Sequence, residues 1–216
     1  MDWVLPFLYV FGLYAAYIAG FLQRKNTVAA FRFPQAMLSL LLAIGIPSTL
    51  QIFLPMLLTT LQRDPTRVLQ GEWWRIITAL FVQDGGIAGT VFNLLSLLLV
   101  GAVANQFWNH GEFLVLFFGG GIAGELIAFA WQPIGAGNSV GNFSLAASIA
   151  IACLMEKPPK IVKLVSLLSI GCYLVLLGFR DIHGASAIVG ALLAIWLTRK
   201  RRHPDSARNA KENNVG

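Results

Sequence analysis

The chain is poor in charge: Asp, Glu, Lys and Arg make up 12% of its 216 residues, against about 25% in ordinary soluble domains. Hydrophobic residues account for 56% of the sequence, and the mean hydropathy is +0.69. This balance excludes an ordinary soluble domain, which would not need apolar runs of about 20 residues, the length that crosses a hydrocarbon core. The composition predicts a multi-spanning membrane protein, and one helical bundle accounts for the whole length.

Cysteine is also scarce, with only Cys153 and Cys172 in the chain. Both lie in apolar segments, where a free thiol behaves as a small apolar side chain. We therefore expect no disulfide, no metal site and no cofactor. The sequence shows no internal repeat, and it lacks the matching pair of broken helices in two halves that is typical of secondary transporters.

Seven apolar segments are candidates for membrane-spanning helices, so the sequence predicts an all-α integral membrane protein. They cover residues 3–22, 36–61, 87–107, 113–131, 139–155, 161–178 and 183–198. In the first segment the basic residues Arg24 and Lys25 follow the apolar run instead of preceding it. We therefore expect this segment to be an anchor with its N-terminus outside, not a cleaved signal peptide.

Lysine and arginine predict the orientation of the bundle, because short cytoplasmic loops collect positive charge. If the C-terminus is inside, only Arg63, Arg67, Arg75 and Arg180 fall on outer segments, and the other twelve of the 16 basic residues fall on inner ones. This bias predicts a cell-membrane protein that crosses the bilayer several times and has a cytoplasmic C-terminus. The net charge of +6 reflects that topology and needs no nucleic-acid partner.

Two polar residues stand at the heads of apolar helices: Ser139 within Gly137-Asn138-Ser139-Val140-Gly141, and His183. Small residues follow each at spacings of three and four, which keep them on one helix face, and such faces are where membrane helices pack closely. The pattern predicts that the hydroxyl and the imidazole meet at the same depth, as a nucleophile and its general base. The small residues are Gly141, Ser144, Ser148 and Ala152 after Ser139, and Ser186, Gly190 and Ala194 after His183.

Structural roles are the alternatives for these polar residues. Ser139 fits a helix N-cap, and His183 fits a histidine that only hydrogen-bonds a carbonyl near a helix end. Asp181 is expected to cap the last helix, with tuning of the imidazole as a second option. Glu125, inside the fourth span, must find a partner or stay protonated. We expect it to make a structural hydrogen bond to a loop backbone or to residues 62–83, and a catalytic or substrate-binding role is the alternative.

Residues 62–83 mix charges with the paired Trp73 and Trp74. Tryptophan favours the membrane–water interface, so we expect this amphipathic segment to lie in the outer leaflet and not to cross it. A surface loop with one or two aromatic belt residues is the alternative. After the last span, the polar tail is expected to be disordered from His203 onwards.

Five motifs occur in a fixed order along the chain. They are Gly71-Glu72-Trp73-Trp74-Arg75-Ile76-Ile77-Thr78, Phe92-Asn93-Leu94-Leu95, Gly101-Ala102-Val103, Gly137-Asn138-Ser139-Val140-Gly141-Asn142-Phe143, and His183 with Ser186 and Gly190. In order and spacing they resemble the rhomboid intramembrane serine proteases, over roughly residues 36–198. The resemblance implies a rhomboid-like six-helix core with a half-sunk outer loop, and a Ser-His dyad that cleaves transmembrane-protein substrates near the outer membrane surface. Residues 1–35 would form an additional N-terminal transmembrane helix and a cytoplasmic linker, and residues 199–216 a basic, polar cytoplasmic tail.

The resemblance also supports Asn93 as an oxyanion donor, beside the backbone N–H of Ser139. The chain departs from the family at several positions. Many members carry a histidine where this chain has Gly89 and a glycine where it has Val140. A glutamate and an arginine that many members carry are replaced by Ala104 and Gln106. The loop that contains residues 83–86 is about two residues longer than in most members. Two hypotheses stay open: a serine endopeptidase acting on single-pass or multi-pass membrane proteins in the lipid bilayer, and a rhomboid-fold pseudoprotease that binds transmembrane helices without cutting them.

Overall fold

The computed structural model describes residues 3–24 and 34–212, with side chains up to residue 201. Within these residues the chain is helical and contains no β-strand. The helices are α1 (Val4–Gln23), α2 (Gln35–Phe53), α3 (Met56–Leu61), α4 (Pro65–Leu69), α5 (Arg75–Thr78), α6 (Gly86–Ala104), α7 (His110–Trp131), α8 (Ser139–Met155), α9 (Lys160–Gly178) and α10 (Ile182–Glu212). A 3-10 turn, Ala79–Phe81, follows α5. The predicted all-α membrane bundle is confirmed.

Six of these helices are long and apolar enough to cross a membrane: α1, α2, α6, α7, α9 and the Ile182–Arg201 part of α10. The remaining predicted span, residues 139–155, is α8, which has 17 residues. At about 1.5 Å per residue this helix is shorter than a hydrocarbon core of about 30 Å. It lies at the centre of the bundle, where every residue from Val140 to Ala150 is buried. It packs against α1, α6, α7, α9 and α10.

The predicted single span over residues 36–61 is wrong, because the helix is interrupted. Helix α2 ends at Phe53, and the short α3 begins after Pro55. Proline has no backbone N–H and clashes with the preceding turn, so it favours a break at this point. Residues 62–83 then form α4, α5 and the 3-10 turn, none of them long enough to span a membrane.

The long helices alternate in direction, so Ser139 and His183 lie at one end of the bundle, the serine end. Seven of the eleven lysines and arginines whose side chains are described lie at the other end, the basic end. At the opposite end Arg24 pairs with Glu156 at 2.6 Å, and Arg201 pairs with Glu112. The first described residues therefore lie at the serine end, and α10 runs towards the basic end. Lys25 and Arg32, which belong to the predicted inner segments, lie outside the described residues.

Helix α10 continues past the predicted end of the last span at residue 198 and runs to Glu212. Side chains are described only up to Arg201, so the disorder expected from His203 onwards stays a prediction, and residues 213–216 lie outside the described residues.

Helix α1 is packed into the bundle along its length. The hydroxyl of Tyr173 on α9 donates to the carbonyl oxygen of Gly12 at 2.8 Å, and Ser169 donates to the same oxygen at 2.9 Å. Nearer its far end, a methyl group on Gly20 would approach side-chain atoms of Ile149 and Val103 to 2.5 Å. The contacts of Gly12 with α9 and of Gly20 with α6 and α8 fix α1 in the bundle, with its first turns at the serine end.

Candidate active site

Helices α8 and α10 meet through small residues at the level of Ser144. Gly190 is so close that an added methyl group would lie 2.4 Å from the Ser144 carbonyl oxygen. One turn nearer the serine end, Ser186 Oγ lies 2.5 Å from the Val140 carbonyl oxygen and 2.9 Å from that of Gly120 on α7. The predicted close approach of the two helices is confirmed, and it brings their first turns together.

Two members of the predicted small-residue face pack elsewhere. A methyl group on Gly141 would approach the Phe117 ring of α7 to 2.4 Å, so this glycine makes room for an aromatic ring and not for α10. Ser148 Oγ accepts a hydrogen bond of 3.0 Å from the indole N–H of Trp108. Because α8 is buried on all sides, its small residues serve several neighbouring helices at once.

Ser139 is the first residue of α8, and His183 is the second residue of α10. Ser139 Oγ lies 2.8 Å from His183 Nε2, within the range of about 2.6–3.5 Å that a nucleophile and its base require. The imidazole is 13% exposed. The predicted contact between the two side chains is confirmed.

The other ring nitrogen of His183 has a carboxylate partner. Its Nδ1 lies 2.7 Å from Asp181 Oδ1. An ionised carboxylate only accepts hydrogen bonds, so Nδ1 carries the proton and the lone pair of Nε2 faces the serine hydroxyl. The same Asp181 oxygen accepts the backbone N–H of His183 at 2.9 Å, so Asp181 also caps α10, as predicted.

Tyr9 of α1 completes the surroundings of Asp181. Its hydroxyl donates to Asp181 Oδ2 at 2.5 Å, and its ring lies 4.6 Å, centre to centre, from the imidazole of His183. Phe143 packs on the imidazole at 4.9 Å. Burial would raise the pKa of Asp181, but the hydrogen bonds from the side chain and backbone of His183 and from the Tyr9 hydroxyl hold that pKa below its usual value.

A cavity of about 220 Å³ opens beside the Ser139 and His183 side chains. Its walls carry charged and polar groups, which suits a space that holds water. The lining residues are Arg63, Asp84, Glu125, Gln132, Ile134, Gly135, Ala136, Gly137, Ser139, Val140, Ile182 and His183. In the described residues no group of three or more His, Cys, Asp or Glu could hold a metal ion.

The loop before Ser139 is attached to the segment between α3 and α6. The backbone N–H of Arg63 donates to the Gly135 carbonyl at 3.0 Å. The Asp84 carboxylate accepts the Ala136 N–H at 2.9 Å, and the Gly137 N–H donates to the Ala79 carbonyl at 2.9 Å. These bonds fix the backbone that leads into α8, and so fix where Ser139 begins the helix.

Glu125 forms a buried ion pair with Arg63, and the two side chains are 1% and 2% exposed. Arg63 Nη2 also donates to the Gln132 carbonyl at 2.6 Å, and Arg63 Nε to the Pro133 carbonyl at 3.1 Å. The predicted structural bond from Glu125 to residues 62–83 is confirmed. The guanidinium joins α7, residues 62–83 and the loop before Ser139.

Asn93 lies on α6 beside the start of α8. Its Nδ2 donates to Gln83 Oε1 at 2.8 Å, and Gln83 Nε2 donates to Asn138 Oδ1 at 2.8 Å. A methyl group on Gly137 would lie 3.4 Å from each of three atoms: Asn93 Nδ2, Gln83 Oε1 and Ser139 Oγ. These polar atoms therefore converge on one small space next to the serine hydroxyl.

Two departures from the family pattern, Val140 and Gly89, have different surroundings in the structure. Val140 is buried and fits against Gly124 of α7, where an added methyl group would approach it to 3.2 Å. The missing side chain at Gly124 therefore makes room for the larger residue after Ser139. Gly89 faces open space, with nothing within 4 Å of an added methyl group.

Sequence reasoning missed the roles of Tyr9 and Gln83. It also did not identify Arg63 as the residue that pairs with Glu125. Tyr9 looks like any tyrosine in a spanning helix, and Asp181 is 172 positions away. Gln83 belongs to a segment noted only for its unusual length. The useful signal was that Tyr9 and Gln83 are hydrogen-bonding side chains near the serine end of apolar segments, where an unpaired polar group is costly.

A serine, a histidine and a carboxylate are thus hydrogen-bonded in this order at one end of a bundle of apolar helices. The family model of the rhomboid domain matches residues 70–180, about half of the chain. The chain belongs to the rhomboid family. The match includes Asn93 and Ser139 and ends just before Asp181 and His183.

Two curated relatives come from Bacillus subtilis strain 168. Rhomboid protease GluP is 30% identical over 96 residues, which are 44% of this chain and 19% of GluP. YdcA, which carries a provisional name as a rhomboid protease, is 30% identical over 67 residues, 31% of this chain and 33% of YdcA. The aligned parts thus span about a fifth and a third of these relatives.

Proposed function

We propose that this protein is an intramembrane serine endopeptidase in which Ser139 is the nucleophile and His183 the general base. The observation that carries the proposal is the distance of 2.8 Å between Ser139 Oγ and His183 Nε2, beside a polar-walled cavity. A bare serine hydroxyl is a poor nucleophile, and an imidazole with a free lone pair at this distance activates it. Family membership and the protease names of the relatives support the same activity.

The proposed reaction is acyl transfer in two steps. His183 takes the hydroxyl proton as Ser139 Oγ attacks the scissile carbonyl, and then gives that proton to the departing amine, leaving an acyl-serine. A water molecule then gives a proton to the same imidazole as it attacks the ester. The bond between the acyl carbon and Ser139 Oγ breaks, the imidazole passes the proton to Oγ, and the carboxylic acid product leaves. The Ser139 backbone N–H, which as the first of α8 has no partner within the helix, and the Asn93 amide would stabilise the oxyanion.

We propose membrane-spanning proteins, single-pass or multi-pass, as the substrates, cleaved near the outer face of a prokaryotic plasma membrane. Trp73 and Trp74 are 61% and 52% exposed at the serine end, which suits the membrane interface. Most of the described lysines and arginines lie at the other end, which suits a cytoplasmic C-terminus. In this proposal residues 36–198 form the protease core, preceded by the helix and linker of residues 1–35 and followed by the tail of residues 199–216.

Fluorophosphonate labelling of purified full-length protein in detergent micelles tests the nucleophile, because the probe reacts only with an activated serine. We expect wild type to be labelled at Ser139 and to cleave a model single-pass substrate reconstituted in liposomes. Ser139→Ala and His183→Ala should each abolish both reactions, and the double variant should be little worse than either, because the residues act as a unit.

Matched controls use residues outside the site. Ser96 is a buried α6 serine whose hydroxyl has no hydrogen-bond partner among the described residues, and His110 is exposed at the opposite end of the bundle. Ser96→Ala and His110→Ala should behave as wild type. A Ser139→Ala protein that still cleaves, or a correctly folded wild type that neither labels nor cleaves, would contradict the protease proposal.

The second candidate function is a pseudoprotease that binds transmembrane helices without cutting them. Gly89 favours it, because the position offers no side chain where many family members have a histidine. The decisive comparison is between binding and labelling. A wild-type protein that captures a transmembrane helix in liposomes but resists the fluorophosphonate would support this second function.

A further inference from the structure

The general base lies in a chain of four hydrogen-bonded side chains. Ser139 Oγ contacts His183 Nε2 at 2.8 Å, His183 Nδ1 contacts Asp181 Oδ1 at 2.7 Å, and Tyr9 donates to Asp181 Oδ2 at 2.5 Å. Asp181 is 2% exposed. A carboxylate removed from water in this way must be satisfied by its hydrogen-bond donors, and both of its oxygens are.

We propose that Asp181 and Tyr9 are positioning residues for His183, so that the site works as a serine–histidine–aspartate triad whose aspartate is held by the N-terminal helix α1. The proposal rests on the proposed protease function for its consequence in catalysis. Asp181 fixes the tautomer that leaves Nε2 free for the serine proton and stabilises the imidazolium that forms during attack. Tyr9 fixes the carboxylate.

The position of Tyr9 makes α1 part of the catalytic unit. Its ring and that of Phe143 lie 4.6 and 4.9 Å from the imidazole, with interplanar angles of 52° and 51°. The imidazole therefore cannot rotate freely about its side-chain bonds. Because α1 is also tied to α9 through Gly12 and Tyr173, the tyrosine hydroxyl is carried by a fixed helix and not by a loose terminus.

The other charged groups near His183 can be named, and none of them touches the imidazole. Glu125 of α7 lines the same cavity and is paired with Arg63. Asp84, before α6, accepts the backbone N–H of Ala136. Arg180, which precedes Asp181, is exposed. Asp181 is therefore the carboxylate in direct contact with the imidazole, and changes at Asp181 or Tyr9 should act on His183 with little change in the other pairs.

The first measurement is the rate of fluorophosphonate labelling of the full-length protein as a function of pH. Asp181→Asn keeps a good helix cap but removes the charge, so we expect a rate about 10²- to 10⁴-fold lower, with the acid limb of the profile displaced to lower pH. Tyr9→Phe removes one donor to the carboxylate and leaves more negative charge facing the imidazole. We expect a rate about 2- to 20-fold lower and an acid limb displaced to higher pH.

Opposite displacements distinguish positioning from loss of structure, because a merely unfolded fraction lowers the amplitude at every pH without moving the limb. Tyr14→Phe is the matched control: it removes a hydroxyl from the same helix, but the Tyr14 ring packs on Phe92 and not on His183. It should leave both rate and profile unchanged. If wild type is labelled and both Asp181→Asn and Tyr9→Phe keep its rate and profile, the proposal is overturned.

A second measurement does not require activity. Histidine ¹⁵N NMR of a His110→Gln, His203→Gln protein observes His183 alone and reports which ring nitrogen carries the proton. We expect protonated Nδ1 in this background, and a population of protonated Nε2 after Asp181→Asn. An Nε2-protonated ring before that substitution would overturn the positioning proposal. A protein that shows the expected tautomers but is never labelled would contradict the protease function and leave the positioning intact.

Discussion

Gly190 of α10 and Ser144 of α8 are in such close contact that no side chain fits between the two helices at that level. A methyl group on Gly190 would lie 2.4 Å from the Ser144 carbonyl oxygen and 2.5 Å from its Oγ. Since Ser139 and His183 stand one to two turns away on the same pair of helices, this contact sets how closely the proposed nucleophile and base approach.

Gly190→Ala should therefore separate α8 from α10. We expect a fluorophosphonate labelling rate at least about tenfold lower and a loss of stability of about 1–3 kcal/mol, as for overpacked cores. Gly171→Ala on α9 is the control, because a methyl group there meets nothing within 4 Å. It should leave labelling unchanged and leave the melting temperature equal or slightly higher. Equal effects of the two substitutions would contradict the argument.

The contact between Ser139 and His183 could be predicted because its determinants are local. Small residues at spacings of three and four define one face of each helix, and a serine and a histidine at the two helix heads then have to meet. Tyr9 could not be predicted in this way. Nothing near it in sequence distinguishes it from Tyr14 or Tyr17, and only the packing of α1 against α9 brings it to Asp181.

Residues 62–83 show a similar limit. The expectation that Glu125 bonds to residues 62–83 followed from the cost of a charge at membrane depth, but it did not select among Arg63, Arg67 and Arg75. The selection depends on the backbone pairing of Arg63 with Gly135. The break in the second predicted span was missed because hydropathy does not register the backbone effect of Pro55.

The Arg63 and Glu125 pair should be strongly coupled. Removing one partner leaves a buried charge without its counterion, so Glu125→Leu or Arg63→Met should each cost about 3–5 kcal/mol in unfolding free energy. The double variant should cost clearly less than the sum, and a double-mutant cycle in a denaturant titration measures this. Arg67→Ala breaks only the exposed pair with Glu72 and should cost at most about 1 kcal/mol. Additive effects at Arg63 and Glu125 would contradict direct coupling.

Asn93 should contribute to the rate and little to folding. If its amide stabilises the oxyanion, Asn93→Ala should lower the cleavage rate about ten- to a thousand-fold with an unchanged circular dichroism spectrum. Gln83 holds that amide at 2.8 Å, so Gln83→Ala should lower the rate in the same direction but less. The double variant should match Asn93→Ala alone. An unchanged rate for Asn93→Ala would mean that the oxyanion is held by other donors.

The two ends of the chain should be on opposite sides of the membrane. Single cysteines placed by Asp2→Cys or Asn213→Cys, in a background with Cys153→Ser and Cys172→Ser, can be labelled with a membrane-impermeant maleimide on intact cells. We expect labelling at position 2 from outside and at position 213 only after permeabilisation, because positive charge concentrates in cytoplasmic segments. Labelling of both positions from the same side would remove the seven-helix topology.

The backbone beside the nucleophile offers the sharpest test of the oxyanion site. Gly137 has φ +152°, and its missing side chain leaves the space on which Asn93 Nδ2, Gln83 Oε1 and Ser139 Oγ converge at 3.4 Å. Gly137→Ala would put a methyl group into that space. Gly71 has φ +105° but meets nothing within 4 Å. Alanine at either position carries the backbone strain of a positive φ, about 1–2 kcal/mol, so stability should fall by similar amounts.

Only the substitution at Gly137 should affect the reaction. We expect Gly137→Ala to lower the fluorophosphonate labelling rate at least about a hundredfold, comparable to the loss of an oxyanion donor. Gly71→Ala should keep a labelling rate close to that of wild type once both rates are corrected for the folded fraction measured by thermal unfolding. Rates that fall equally in the two variants would show that strain alone accounts for the loss, and the space beside Gly137 would then have no role in holding the oxyanion.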